Sequence, residues 1–310
     1  MTLLLALACT GADEEPLVVD ATLTYREPVE GELVFASEPI EVPPYTDQQI
    51  CTMLPYTGET VGVMAGDFYQ HPDWGHHLLI MSSNADEDDY PDGYSWDCTE
   101  SANLPMAELE PILFANNTEL GDEGLYELVL PEGFGVKLES GDRLMLQSHH
   151  INSTADTLLL NDAAFLEVLP EAEVDTWAAP WAHTDSGLEV PANSEHTIEI
   201  DCAFEEDVYL LSVTGHLHEW GTAISVDHLP ADGGDTMRLY EISEWDPVFR
   251  DAPPIDEYPV DTFQVKAGDT FRTTCSWYND TPETLGFPTE MCASVGMAYP
   301  TVLPIICDVD

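Results

Sequence analysis

Gly141-Asp142-Arg143-Leu144-Met145-Leu146-Gln147-Ser148-His149-His150-Ile151-Asn152-Ser153-Thr154 is the stretch that decides the fold. A Gly-Asp turn opens it. Leu144 and Leu146 then alternate with Met145, Gln147 and His149, the period of two expected of a half-buried strand. A second stretch, from Gly268-Asp269-Thr270-Phe271 to Cys275-Ser276-Trp277-Tyr278-Asn279-Asp280-Thr281, aligns with it without a gap. A strand repeated together with its flanking turns predicts two copies of one β architecture. Outward from this pair, β-rich runs recur at Glu32–Ala36, His77–Met81, Tyr126–Leu130, Ala164–Leu169, Thr197–Phe204, Val208–Thr214, Ala223–Val226, Met237–Ile242, Thr262–Val265 and Val295–Ala298. Clusters such as Pro131-Glu132-Gly133 and Asp232-Gly233-Gly234 separate them. No window of helical length carries a 3.6-residue period. The expected fold is all-β: two tandem antiparallel β-sandwich domains, jelly-roll-like, facing across a cleft. The expected units are residues 26–170 and 171–310, meeting at the acidic stretch Pro170–Thr176, with residues 1–25 as signal and tether.

The 310 residues include 60 acidic and 7 basic ones, a formal net charge of −53. Such a chain repels polyanions, which excludes nucleic acid and anionic lipid surfaces as partners. Carboxylates scattered along the whole chain read first as solubility or adaptation to a salty medium, and second as a means of enriching cations near the surface.

Met1 to Cys9 form a short apolar run ending in Ala6-Leu7-Ala8-Cys9, which resembles a bacterial lipoprotein signal with Cys9 as the acylated residue. The run is too short to span a bilayer, so the expectation is an exported, periplasmic or cell-surface lipoprotein that touches the outer membrane only through a lipid on Cys9. The other six cysteines, Cys51, Cys98, Cys202, Cys275, Cys292 and Cys307, are even in number and contain no CxxC pair; in an exported chain this predicts disulfides.

The histidines carry the chemistry. His216-Leu217-His218 places two imidazoles on one face of a strand, within reach of one ion. His76-His77 faces opposite ways in a regular strand; the pair can share a target at a strand start or bulge, which the preceding Gly75 and Pro72 permit, or if one ring uses Nδ1. His149 points away from the leucine face of its strand, and His150 towards it. Met291, in Thr289-Glu290-Met291-Cys292, reads alone as core filler; beside imidazoles its soft thioether suits Cu(I). His71, His183, His196 and His228 read as surface or loop residues, and Gln147 as a strand-face glutamine.

The segments His76-His77-Leu78-Leu79-Ile80-Met81, Leu146-Gln147-Ser148-His149, His216-Leu217-His218 and Glu290-Met291-Cys292 together resemble the peptidylglycine α-hydroxylating and dopamine β-monooxygenase family of copper enzymes. The resemblance spans roughly Asp47 to Cys307. It implies an electron-transfer copper at His76, His77 and His149, and an oxygen-activating copper at His216, His218 and Met291. It also implies the bridges Cys51–Cys98, Cys202–Cys307 and Cys275–Cys292, the last steadying the segment that carries Met291. The implied reaction is hydroxylation of an aliphatic C–H bond of a small molecule by O2, with ascorbate or another one-electron donor as co-substrate, in a chain expected to be a monomer. The family's peptide-amidating members hold the substrate carboxylate with an Arg two residues before the His-x-His pair and an Asn and Tyr after the Met-Cys pair. Thr214, Ala293 and Val295 stand there in this chain. The departure points away from peptidylglycine and towards a neutral or apolar substrate. The alternatives are a copper-storage lipoprotein without turnover, which the acidic surface would suit, and a plain β-sandwich with scattered histidines.

Overall fold

The computed structural model describes residues 17–83, 85–99, 109–117, 125–250, 253–287 and 289–308, with backbone alone for 109–117, 125–127 and 308. Cys9 and the rest of the expected signal lie outside the described residues. The chain is all-β: the described residues form 23 strands and two short 3-10 turns, and none of their helices is long and apolar enough to cross a membrane.

In the first half, a five-stranded antiparallel sheet runs in the order Ser95–Asp97, Thr46–Pro55, Arg143–Asn152, Gly75–Ser83, Leu109–Asn117. Its inner face buries Leu78, Ile80, Leu144 and Leu146 together with Val63 and Phe68 from Val61–Tyr69 and Ala164 and Leu166 from Ala163–Pro170. The other face carries Met53, Met81 and Met145 beneath the Cys51–Cys98 bridge. The second half repeats the plan. Ser194–Ala203, Thr270–Asn279, Gly221–Leu229 and Met237–Ile242 form a four-stranded sheet. Its residues Ile224, Val226, Phe271 and Trp277 share a core with Trp181, Leu210 and Val213 from Thr176–Thr184 and Val208–His216.

The two halves are joined through one strand. Thr176, Trp177 and Ala178 pair in parallel with Phe134, Gly135 and Val136, whereas Ala179–Thr184 pair antiparallel with Ala293–Ala298. The inner sheets thereby fuse into one of eleven strands. Tyr299 crosses the junction and packs edge-on against Phe134 at 4.8 Å between ring centroids.

The repeat seen in the sequence has a structural counterpart. Gly141 and Gly268 open the matching strands at φ of 91° and 92°, a region that favours glycine. At the far ends, Asn152 donates to the carbonyls of Val42, Pro43 and Asp156, and Asn279 to those of Val190, Pro191 and Glu283. Each side-chain carbonyl accepts the backbone N–H of the threonine two residues on. A buried carboxylate lies beside the matched ring of each half. Asp162 Oδ2 is 3.0 Å from His150 Nε2, although off the direction of a good hydrogen bond, and Glu290 Oε2 accepts from Trp277 Nε1 at 2.9 Å.

Two sequence expectations need correction, and one is met. Residues 18–23, expected within the tether, are held to the fold: Val18–Asp20 form a strand paired in parallel with Thr157–Leu159, and the Leu23 N–H donates to Asn161 Oδ1. His183 and His228 are buried rather than on the surface or in loops. Both lie on inward faces of strands, His228 against Asp269 at 2.7 Å and His183 against Thr273 Oγ1 at 3.0 Å. The three disulfides occur between the expected partners, each with 5.9 Å between Cα atoms, an ordinary spacing for the bond.

Burial lowers the pKa of His183 from 6.5 to about 4. Such a group binds its proton more readily in the unfolded chain, so its contribution to stability is complete above about pH 6.5 and is lost as pH falls through about 4. His183→Asn is therefore expected to flatten the pH dependence of stability in that window. Urea denaturation of both proteins at a series of pH values tests this, and an unchanged slope counts against it.

Candidate metal centre

The first cluster forms where the central strand Arg143–Asn152 meets Gly75–Ser83. Their register runs regularly to His149 opposite His77, then slips so that His150 lies opposite Gly75. His76 is the extra residue of this bulge. A bulge breaks the alternation of faces, so both adjacent histidines reach the side of the sheet that carries His149. One ring nitrogen from each of His76, His77 and His149 lies within 4.8 Å of the others. No other such group of three His, Cys, Asp or Glu exists among the described residues.

The outward nitrogens are held by acceptors. His77 Nε2 is 3.2 Å from Gln147 Oε1, and His149 Nε2 is 2.5 Å from Asp47 Oδ1. A ring nitrogen facing an acceptor carries the proton, which leaves the lone pair on Nδ1. The two Nδ1 atoms face each other at 3.3 Å. Two converging lone pairs at that distance repel, and a cation between them removes the repulsion. Gln70 Nε2 braces the backbone from behind, donating to the carbonyls of His77 at 2.9 Å and His149 at 3.4 Å. Burial, then the imidazoles of His149 and His76, hold the pKa of His77 well below the ordinary value. Burial also lowers that of His149, against the opposing pull of Asp47. The hydrogen bond from His149 in turn holds the Asp47 carboxyl below its usual range. The pair is thus a neutral imidazole donating to an ionised carboxylate, the usual arrangement behind a metal-bound histidine.

The second cluster sits where the ladder between Val208–His216 and Ala293–Tyr299 ends, at His216 opposite Ala293. His216 Nε2 and His218 Nε2 are 3.0 Å apart. His218 Nδ1 is 3.1 Å from the carbonyl oxygen of Thr289 and donates to it, so here Nε2 keeps the lone pair. Burial lowers the pKa of His218 to about 4. Met291 is half-buried, and its backbone N–H donates to Glu290 Oε2, the same oxygen that accepts the backbone N–H of His218, each at 3.1 Å. Cys292, next in sequence, is bonded to Cys275 on the adjoining sheet. The two clusters lie in one electrostatic neighbourhood: His76 and His149 both depress His218, and His216 depresses His77. Arg250, one of the few cations of the chain, acts on both Asp47 and His218.

The structure therefore brings together His76, His77 and His149, and separately His216 and His218, with the backbone of Met291 tied to that of His218. Sequence reading missed Asp47, Gln70 and Glu290, and it took Gln147 for an ordinary strand residue. The Thr214 hydroxyl proton is already committed, donated to the carbonyl of Pro254 at 2.8 Å.

No protein-family profile and no curated protein matches the chain. Among solved structures it is similar to the major capsid protein P2 of bacteriophage PM2, at 8% identity and a TM-score of 0.39, covering 86% of this chain and 97% of that one. It is also similar to N-glycanase F, at 11% identity and 0.38, covering 89% and 97%, and to the PNGase F glycosylasparaginase of Flavobacterium meningosepticum, at 11% and 0.37, covering 89% and 98%. Likenesses this distant carry no functional argument.

Asp47→Ala is expected to weaken metal binding at the three-histidine cluster by about 10- to 100-fold and to leave the His216–His218 pair unchanged. Titration against a competing chelator measures both; equal affinities in variant and wild type would remove Asp47 from the site.

Proposed function

We propose that this chain is a copper-dependent monooxygenase. It converts an aliphatic C–H bond of a small substrate to C–OH, consuming one O2, two electrons from a reductant of the ascorbate class and two protons, and releasing water. The observation that carries the reading is the presence of two unlike imidazole sets in one chain. One is a triad, two of whose members are buried, in which His77 and His149 face each other through Nδ1, and the other a pair facing each other through Nε2. A store needs no such difference. The order and spacing of His76, His77, His149, His216, His218 and Met291 resemble those of the ascorbate-dependent copper hydroxylases, and the three disulfides match that pattern as well.

His76, His77 and His149 would hold one copper, and His216, His218 and Met291 the other. Three imidazoles alone suit zinc or copper; the added thioether favours Cu(I). Bound there, copper supplies dioxygen activation at the second set and the further electron from the first. The protein's own contribution is to keep the imidazoles neutral by burial, to fix which nitrogen faces inward, and to hold the first triad against Asp47, Gln147 and Gln70. Thr214, Ala293 and Val295 offer a substrate no charged anchor, which favours a neutral or apolar one.

The three disulfides suit an oxidising, extracellular environment. Anchoring through a lipid on Cys9 belongs to this reading; radiolabelled palmitate should enter the wild type and not Cys9→Ala, and labelling of both would refute it. The second reading, copper storage, draws on the net charge of −53, which concentrates cations at the surface.

Copper per chain after loading and desalting, with EPR of the oxidised form, is the direct test. Two type 2 coppers are expected, falling to one in His216→Ala. Met291→Ala should keep the first copper yet lose ascorbate-driven oxygen consumption. One copper or none in the wild type overturns the monooxygenase reading, and two coppers without any such consumption favour storage.

A further inference from the structure

We infer that Glu290 is the positioning residue of the second histidine site: one buried carboxylate clasps the segment carrying His216 and His218 to the segment carrying Met291. The β-ladder between these segments stops at His216 opposite Ala293. Beyond it the backbones continue as loops, and their N–H groups have no strand to pair with. Buried N–H groups need acceptors, and Glu290 supplies them. Its Oε1 accepts from Trp220 N at 2.8 Å, and its Oε2 from His218 N at 3.1 Å, Met291 N at 3.1 Å and Trp277 Nε1 at 2.9 Å.

The side chain is wholly buried. Three of the four donors converge on Oε2 and one meets Oε1, and no lysine or arginine is among them. Hydrogen bonds to a charged acceptor are the strong kind, and losing the acceptor leaves three backbone donors and an indole unpaired together. The Trp277 contact ties the clasp to the middle of the four-stranded sheet, and the Cys275–Cys292 bridge closes the same corner covalently. The bridge holds the residue after Met291 but does not touch His218; the carboxylate spans both segments, beside the hydrogen bond from His218 Nδ1 to the carbonyl of Thr289.

Glutamine separates positioning from mere space-filling. It has the volume of glutamate, but it offers one acceptor oxygen and turns an NH2 group towards an N–H donor. If Glu290 only fills space, Glu290→Gln is silent; if it positions, Glu290→Gln opens the clasp. As a metal-site device the inference rests on the copper reading above, whereas the clasp itself does not.

The experiment is amide hydrogen exchange on the metal-free full chain, wild type and Glu290→Gln, followed by copper loading of both. In the wild type the amides of His218, Trp220 and Met291 should exchange far more slowly than the exposed turn Asp232–Gly234. In the variant these three should speed up by about tenfold or more, while the amides of Thr270–Asn279 stay protected. After loading, the variant should keep the copper at His76, His77 and His149 and lose the sulfur neighbour from the X-ray absorption of the other. Unprotected amides in the wild type overturn the inference even if the variant does not fold, and so do unchanged exchange and an intact copper–sulfur signal in the variant. A wild type that protects these amides but takes up no copper defeats the monooxygenase reading and leaves the clasp standing.

Discussion

One strand, Thr176–Thr184, is hydrogen-bonded to both halves of the molecule, and the placement of everything else follows from it. A flexible linker at this point would leave two sandwiches free to turn against each other. A strand that leaves one ladder and enters the next cannot turn without breaking both. The apolar contact of Tyr299 with Phe134 and the entry of Leu211 and Ala178 into the first core add packing to the same junction. The two histidine clusters are consequently parts of one rigid frame, close enough for each to perturb the charge of the other.

Within that frame the halves solve the same local problem with different residues. The central strand of each outer sheet ends in an asparagine that brackets a loop, and each has a ring facing a buried carboxylate: His150 with Asp162, Trp277 with Glu290. In the first half the regular ladder continues almost to the histidines and needs only a bulge to gather three of them. In the second half the ladder ends earlier, and a carboxylate takes over the work of the missing strand pairs. Of the 60 acidic residues, a few turned inward thus do something quite different from the many that make the surface negative.

How far the sequence could be read depended on whether alternation survived local constraint. Arg143–Asn152 and Met237–Ile242 were legible because their apolar residues alternate or cluster as strands do. Thr46–Pro55 was not, since Thr46, Asp47, Gln48 and Gln49 open it with polar residues. Val61–Tyr69 was hidden by Gly62 and Gly66, where a side chain would collide with Val174 and Leu166. Thr176–Thr184 was hidden by its alanines and Pro180. Asp47 went unnoticed as a site residue because its strand did. His76 and His77 share a face only through a register slip, a property of the pairing with another strand rather than of either residue. Glu290 is one carboxylate among many until the four donors around it are seen.

The choice of ring nitrogen has a mechanical consequence. Nδ1 is bonded to the carbon that joins the ring to its side chain, whereas Nε2 is at the far tip. A donor close to the main chain has a short lever: small rotations about the side-chain bonds hardly move it. A donor at the tip swings through a wider arc for the same rotation. His77 and His149, facing each other through Nδ1 on paired strands, form a stiff seat that resists any change of shape. His216, on the last rung of its ladder, and His218, just past it, face each other through Nε2, so the same rotations carry their donor atoms further.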